Sequence, residues 1–235
     1  MIASIAAPSD RRLSRRSLVD GVRDSVIDAV LTGRLVPGDR VVEASVARDL
    51  GVSRGPVREA FRELAEQGLL VLAPHRGVTV TVLTERDAYE IYSVLMFTER
   101  LALRLVKQQL SDALLGRFKE ALLAMQAAAE RDDAAGVAHA DLAFNDALYA
   151  FAGHRRLQRV WQGLKLQCYL LVREYANRTY ASLPAIVRHH ATIADLLEHA
   201  RWDDLRAYLE SNADRVDARL LELLGPVEGS RPEAR

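Results

Sequence analysis

The chain has 235 residues, 49% of them hydrophobic, and its 32 basic and 32 acidic side chains cancel. That length leads to an expectation of two domains with a substantial core, and no apolar run approaches the roughly 18 residues of a membrane span. The apolar stretch before Arg11 is too brief for a secretory signal, and one cysteine, Cys168, excludes a disulfide framework and points to a reducing cytoplasm.

Zero net charge gives no global sign of a nucleic-acid partner. Residues 1–83 hold twelve Arg, no Lys and ten Asp plus Glu, so they carry +2 and the remainder −2. Any DNA binding must therefore come from local placement of arginines.

Residues 1–13 read as a flexible arm. A helix is expected over 17–32, with Val22, Val26, Ile27, Val30 and Leu31 as its apolar face and Gly33 as its stop. Val36-Pro37-Gly38 marks a turn, and a short helix follows over 43–50, packed through Val46, Ala47 and Leu50. Gly51 closes it and leads into Val52-Ser53-Arg54-Gly55-Pro56-Val57-Arg58-Glu59, a second helix expected to use Ser53 as its N-cap and to tolerate Pro56 in its first turn. Along that helix Val57, Phe61 and Leu64 form a core stripe, while Arg54, Arg58 and Arg62 step by four on a second face. Guanidinium groups so displayed suit a DNA major groove, where Arg can bridge guanine O6 and N7. With Glu59, Glu63 and Glu66 nearby, the same stripe also fits an ordinary solvated face, and the stripe alone does not decide. After Gly68, the β-rich runs 69–72 and 78–82 flank a turn at 73–77. Helix, helix-turn-helix and hairpin in that order make a winged helix-turn-helix, expected over 14–83.

Residues 18–83 resemble the DNA-binding domain of the GntR family of bacterial transcriptional regulators. The segments that carry the resemblance are 27–38, Leu50-Gly51-Val52-Ser53-Arg54-Gly55-Pro56-Val57-Arg58-Glu59-Ala60, Leu64 to Leu70, and Arg76-Gly77. It implies that Ser53, Arg54, Gly55 and Arg58 face a double-stranded operator, with Arg54 and Arg58 reading bases. His75, Arg76 and Gly77 would form a wing tip reaching the minor groove, and Arg34, Arg40 and Arg62 would grip the phosphate backbone. Where some relatives carry an Arg just after the acidic residue that opens the first helix of the motif, this chain has Ala44.

Residues 84–225 read as helix throughout. Thr84 with Asp87 resembles a capping box opening a helix to about Lys107, and Ser111 caps the next. Further helices are expected over 133–151, 155–175, 184–199 and 203–224, with 226–235 a disordered tail. The fold expected is thus mostly α: an N-terminal winged helix-turn-helix followed by an all-α helical bundle.

Within this bundle, Asp141 and Asn145 share one helix face, and His190 and Asn212 fall on two later helices. Their spacing alone also fits capping, surface or core hydrogen bonding. Residues 85–224 resemble the FCD effector domain of FadR-type GntR regulators, many of which bind a divalent metal through an Asp, a His four residues on, and one His on each of the last two helices. The matching positions here are Asp141, Asn145, His190 and Asn212, so two expected histidines are asparagine. Amide oxygen is a poor ligand for zinc or nickel, and the expectation is no tightly held metal, with a weakly bound hard divalent ion at Asp141 and His190 as the remaining option. Glu99 matches a family position, but the Arg expected four residues earlier is Leu95. The effector pocket expected from the resemblance is therefore Leu95, Glu99, Asp141, Asn145, His190 and Asn212, fitted to a more apolar or neutral effector, with Arg173 as a candidate cation.

The reading that follows is a ligand-responsive transcriptional regulator, a repressor by default, binding a pseudo-palindromic operator as a homodimer in the cytoplasm. The alternative is a metal-dependent or acid–base enzyme in the helical domain. Against it, no nucleophile–base pair or phosphate-binding glycine loop is visible, and His189, His190 and Asp141 are the one constellation suited to acid–base work.

Overall fold

The computed structural model describes residues 9–73, 77–179 and 182–224. The chain divides into two compact units, Met1–Val82 and Leu83–Arg235.

In the first unit α1 runs Ser9–Leu31. Residues 9–13, read from sequence as part of an arm, are helical, because neither Gly nor Pro interrupts the chain between Ser9 and Asp20. Val19, Val22, Val26 and Val30, spaced by three and four, form its buried stripe. That stripe lies toward α3 (Arg54–Glu66), which buries Val57, Ala60, Phe61 and Leu64. Full burial of side chains of this size stabilises by about 1.5–3 kcal/mol each.

Between these helices lies α2 (Glu43–Asp49), whose buried residue is Ala47. Leu50, expected to pack, is 40% exposed, because it follows the last helical turn. Gly51 reverses the chain at φ +65, a left-handed backbone that a side chain disfavours, and Val52 N–H returns to Ala47 O at 2.9 Å.

The sheet has one strand more than the sequence suggested. A two-residue strand, β1 (Arg40–Val41), joins β2 (Leu70–Ala73) and β3 (Gly77–Val80) in the order β1-β3-β2, all antiparallel. Two residues give no period to read, yet Val41 is buried against this sheet and pairs Val78. The hairpin β2–β3 is the wing.

The second unit is helical among its described residues: α4 (Glu85–Val106), α5 (Asp112–Glu130), α6 (Ala134–Phe151), α7 (Arg155–Thr179), α8 (Leu183–Glu198) and α9 (Trp202–Leu224). The expected capping box is present, with Asp87 N–H donating to Thr84 Oγ1 at 3.1 Å and Thr84 N–H to Asp87 Oδ2 at 2.8 Å. Ser111 and Asp133 cap α5 and α6 through Leu114 N–H and Gly136 N–H. Helix α6 packs on α5 and α7, and α4 on α7 and α9, around Phe118 stacked on Phe144 and Tyr149 stacked on Trp161. Tyr149, Trp161 and Tyr169 are core, and Cys168 is a buried thiol whose pKa burial pushes up.

Candidate DNA-reading face and effector cluster

Helix α3 is two-sided. Ser53, Arg54, Gly55, Arg58 and Arg62 are exposed, and Pro56, Val57, Ala60, Phe61 and Leu64 are buried. Ser53 holds the N-cap backbone position but makes no side-chain capping bond. One of the two possible donors is missing. A capping hydroxyl accepts from the second or third helical amide, and Pro56, at the third, has no N–H to give.

A solvated face held by pairs within α3 would tie its arginines to its own glutamates. Two ion pairs of α3 run outward. Glu63 meets Arg23 of α1 at 3.6 Å, and Arg58 Nε donates to Glu43 Oε2 of α2 at 2.8 Å. Arg34 is exposed and held by Asp28 and Thr32. Arg40 lies along the wing, where a Cβ on Gly77 would stand 3.4 Å from its Nε and Nη2. Gly77 also has φ +89, so no side chain is favoured there on either count. His75 and Arg76, expected at the wing tip, lie outside the described residues.

In the helical unit, Glu99, Asp141, Asn145, His190 and Asn212 are all buried, as is Leu95. His190, on α8, donates from Nδ1 to Ile186 O and sets Nε2 against Asp141 Oδ1, each at 2.9 Å. Burial alone would drive its pKa down, but the hydrogen bond and charge of Asp141, with the Ile186 carbonyl and Glu99, outweigh this and raise it. Each ring nitrogen thus faces an oxygen acceptor, and His190 and Asp141 form a buried pair. His189 beside it is the opposite case: burial, then His190 and Arg215, push its pKa down, and its Nδ1 shares a 2.9 Å hydrogen bond with Tyr208.

Asn145 donates from Nδ2 to Asp141 O at 3.1 Å, and its buried Oδ1 has no partner. Asn212 donates to the Tyr92 hydroxyl at 3.5 Å and accepts from Arg215 Nη2 at 2.5 Å. Burial raises Glu99 to about 7, with His190 and Arg100 opposing and Asp141 adding to the shift. Arg173, the candidate cation, stands against Tyr169 and Glu174.

One imidazole and one carboxylate are spent on each other, and an ion at Asn212 would meet a guanidinium. Among the described residues no three His, Cys, Asp or Glu are grouped to hold an ion. A groove of about 500 Å³ between α4 and α9, lined by Phe97, Arg104, Trp202 and Leu209, lies apart from the cluster, since none of the expected pocket residues lines it.

Sequence reasoning missed Glu43 as the partner of Arg58, and Tyr92, Tyr208 and Arg215 in the cluster. Arg215 was within reach, three residues after Asn212 on one helix face.

A winged helix-turn-helix that bares arginines, joined to a helical unit with a buried polar cluster, defines a DNA-binding regulator with a sensory domain. Comparison with known proteins agrees. Residues 18–80 match the family of bacterial regulatory proteins described as gntR, and residues 90–214 match the FCD domain. The chain is 30% identical over 214 residues to a probable D-xylose utilization operon transcriptional repressor of Paenarthrobacter nicotinovorans, covering 87% of this chain and 93% of that protein. It is 28% identical over 199 residues to the gluconate operon transcriptional repressor of Bacillus subtilis, covering 83% and 81%. A crystal structure of a GntR transcriptional regulator from Rhodococcus sp. RHA1 superposes with a TM-score of 0.73 at 27% identity, over 88% of this chain and 98% of that one. The chain belongs to the gntR family of bacterial regulatory proteins, with a C-terminal FCD domain. It is a DNA-binding transcriptional regulator and not an enzyme.

Proposed function

We propose that this regulator is a cytoplasmic repressor that binds a pseudo-palindromic operator as a homodimer and is released by a small metabolite held at the helical cluster. The observation that carries the DNA half is α3 itself, which buries Val57, Phe61 and Leu64 and turns Arg54, Arg58 and Arg62 to solvent. Arg54 and Arg58 read bases, while Arg34, Arg40 and Arg62 grip phosphates. His75, Arg76 and Gly77 of the wing enter the minor groove. Repression follows the sign carried in the names of the relatives above.

The cluster of Leu95, Glu99, Asp141, Asn145, His190 and Asn212 is the effector site, and it works without a transition metal. The ligand acts only through its differential affinity for the DNA-competent and DNA-incompetent arrangements.

A gel-shift with DNA flanking the protein's own gene tests the whole reading. Arg54→Ala and Arg58→Ala should each weaken specific retardation by about 1–3 kcal/mol, and one member of a metabolite panel should relieve it. Unchanged operator affinity in both variants removes α3 as the reading helix. Elemental analysis of protein purified without chelator should find far less than one transition metal per chain; a stoichiometric metal overturns the account of Asn145 and Asn212.

A further inference from the structure

The cluster is unbalanced in its hydrogen bonding. Its donor groups are engaged: His190 sets both ring nitrogens against Ile186 and Asp141, and Arg215 bonds Asn212. What lacks a partner among the described residues of the cluster is acceptor. Asn145 Oδ1 is buried and unpartnered, and its orientation is fixed, because rotating the amide would turn that oxygen onto the Asp141 carbonyl now bound by Nδ2. Glu99 is buried too, and no hydrogen bond from the described residues reaches its carboxyl, although it lies near enough to His190 and Asp141 to feel both charges. A buried acceptor left unmatched costs about 1–3 kcal/mol, so a ligand that supplies donors gains what the protein leaves unmade.

We propose that the effector of this regulator carries a protonated amine, received by Asn145 Oδ1 and the Glu99 carboxylate. This rests on the reading of the cluster as the effector site. The charges favour an amine over the alternatives. Asp141 and His190 pair with each other and Arg215 bonds Asn212, so Glu99 is the carboxyl of the cluster that no described residue hydrogen-bonds. A carboxylate effector would face two unpaired acceptors, and Leu95 gives it no cation on that turn of α4. A plain hydroxyl satisfies Asn145 and leaves Glu99 unmatched. Arg100 Nε is also buried and unpartnered, but its Nη2 is bonded to Leu209 O and its side chain lines the α4–α9 groove; its charge reaches Glu99, where it favours the carboxylate that an ammonium would meet. An ammonium also favours the ionised form of Glu99, which burial otherwise opposes.

The test uses the full-length protein and three probes of one shape: cyclohexylamine, cyclohexanol and cyclohexanecarboxylate. Thermal melts at neutral pH, followed by calorimetric titration, should rank the amine first, with the carboxylate giving no shift. Asn145→Leu and Glu99→Gln should each weaken amine binding about tenfold, the loss of one hydrogen bond to a charged group, whereas Asn145→Asp, which keeps the acceptor, should retain it. The proposal is overturned if the carboxylate binds in place of the amine. It is equally overturned if amine binding survives both Asn145→Leu and Glu99→Gln, or if no probe shifts the melt, as when a water completes Asn145. Retardation of flanking DNA by the same preparation separates the two readings. DNA binding with no response to amines sinks this inference and leaves the regulator intact, while loss of DNA binding itself sinks the regulator reading.

Discussion

Arg58 and Glu43 join α3 to α2 through a 2.8 Å bond between side chains that are 58% and 32% exposed. A pair so open to water contributes about 0–1 kcal/mol to stability, so its consequence is one of direction: with Nε tethered, both Nη groups are free to reach a base. Glu43→Ala should therefore barely move the melting temperature. It should lower the ratio of operator to random-DNA affinity several-fold, because random DNA loses a repelling charge while the operator loses an aimed guanidinium. Competition gel-shifts measure the ratio, and a ratio equal to that of the parent would mean that Arg58 needs no guide. Glu99 invites a second test. Its carboxyl titrates near 4.5 when unfolded and is raised to about 7 by burial in the native state. Between those values the folded chain holds a proton that the unfolded chain has released. Stability from this group is therefore full below about pH 4.5 and is lost as pH rises through about 7, on the order of 3 kcal/mol. Glu99→Gln cannot lose that proton. Denaturant midpoints should favour the variant more at about pH 8 than at about pH 5, and an equal difference at both would mean a carboxyl in contact with water.

The ends of the helices were the most legible feature of the sequence, since capping is local chemistry. Thr84 with Asp87, and Ser111, could be named from their spacing and do cap α4 and α5. Ser53 was legible as a position but not as a bond, because the proline that removes its partner was read only for its fit to the first turn. The pairing of Asp141 with His190 joins α6 to α8 across 48 intervening positions, and no periodicity carries such a contact; Glu43 with Arg58, and β1 with β3, escaped for the same reason. The end of α8 is strained. At the close of α8, Arg201 N–H bonds Leu196 O at 2.8 Å and Ala200 N–H bonds Leu197 O at 3.0 Å, a Schellman ending with Ala200 at φ 52. A left-handed alanine costs about 1–2 kcal/mol, part of which glycine returns through its freer unfolded chain. Ala200→Gly should stabilise the protein by about 0.5 kcal/mol and leave amine and DNA binding alone. A lower melting temperature would show that the methyl group packs usefully enough to repay the strain.

For the whole molecule, 32 positive and 32 negative charges leave no general attraction to DNA, so the salt dependence of binding should count local contacts and, through them, copies of the chain. Each neutralised phosphate contributes about −0.9 to the slope of log K against log salt. If Arg34, Arg40 and Arg62 each hold one phosphate and two chains bind together, the slope should be about −5, and a single bound chain should give about half of that. Arg62→Gln then removes one contact per chain, reducing the slope by about 2 in a dimer and by about 1 in a monomer. Sedimentation of the full chain should show a dimer that persists when residues 1–83 are removed, since pairing is expected to reside in the helical unit. A monomeric helical unit with a slope change of about 2 on Arg62→Gln would mean that the two copies meet only on DNA, and an effector in the helical unit would then have to act on each winged helix alone.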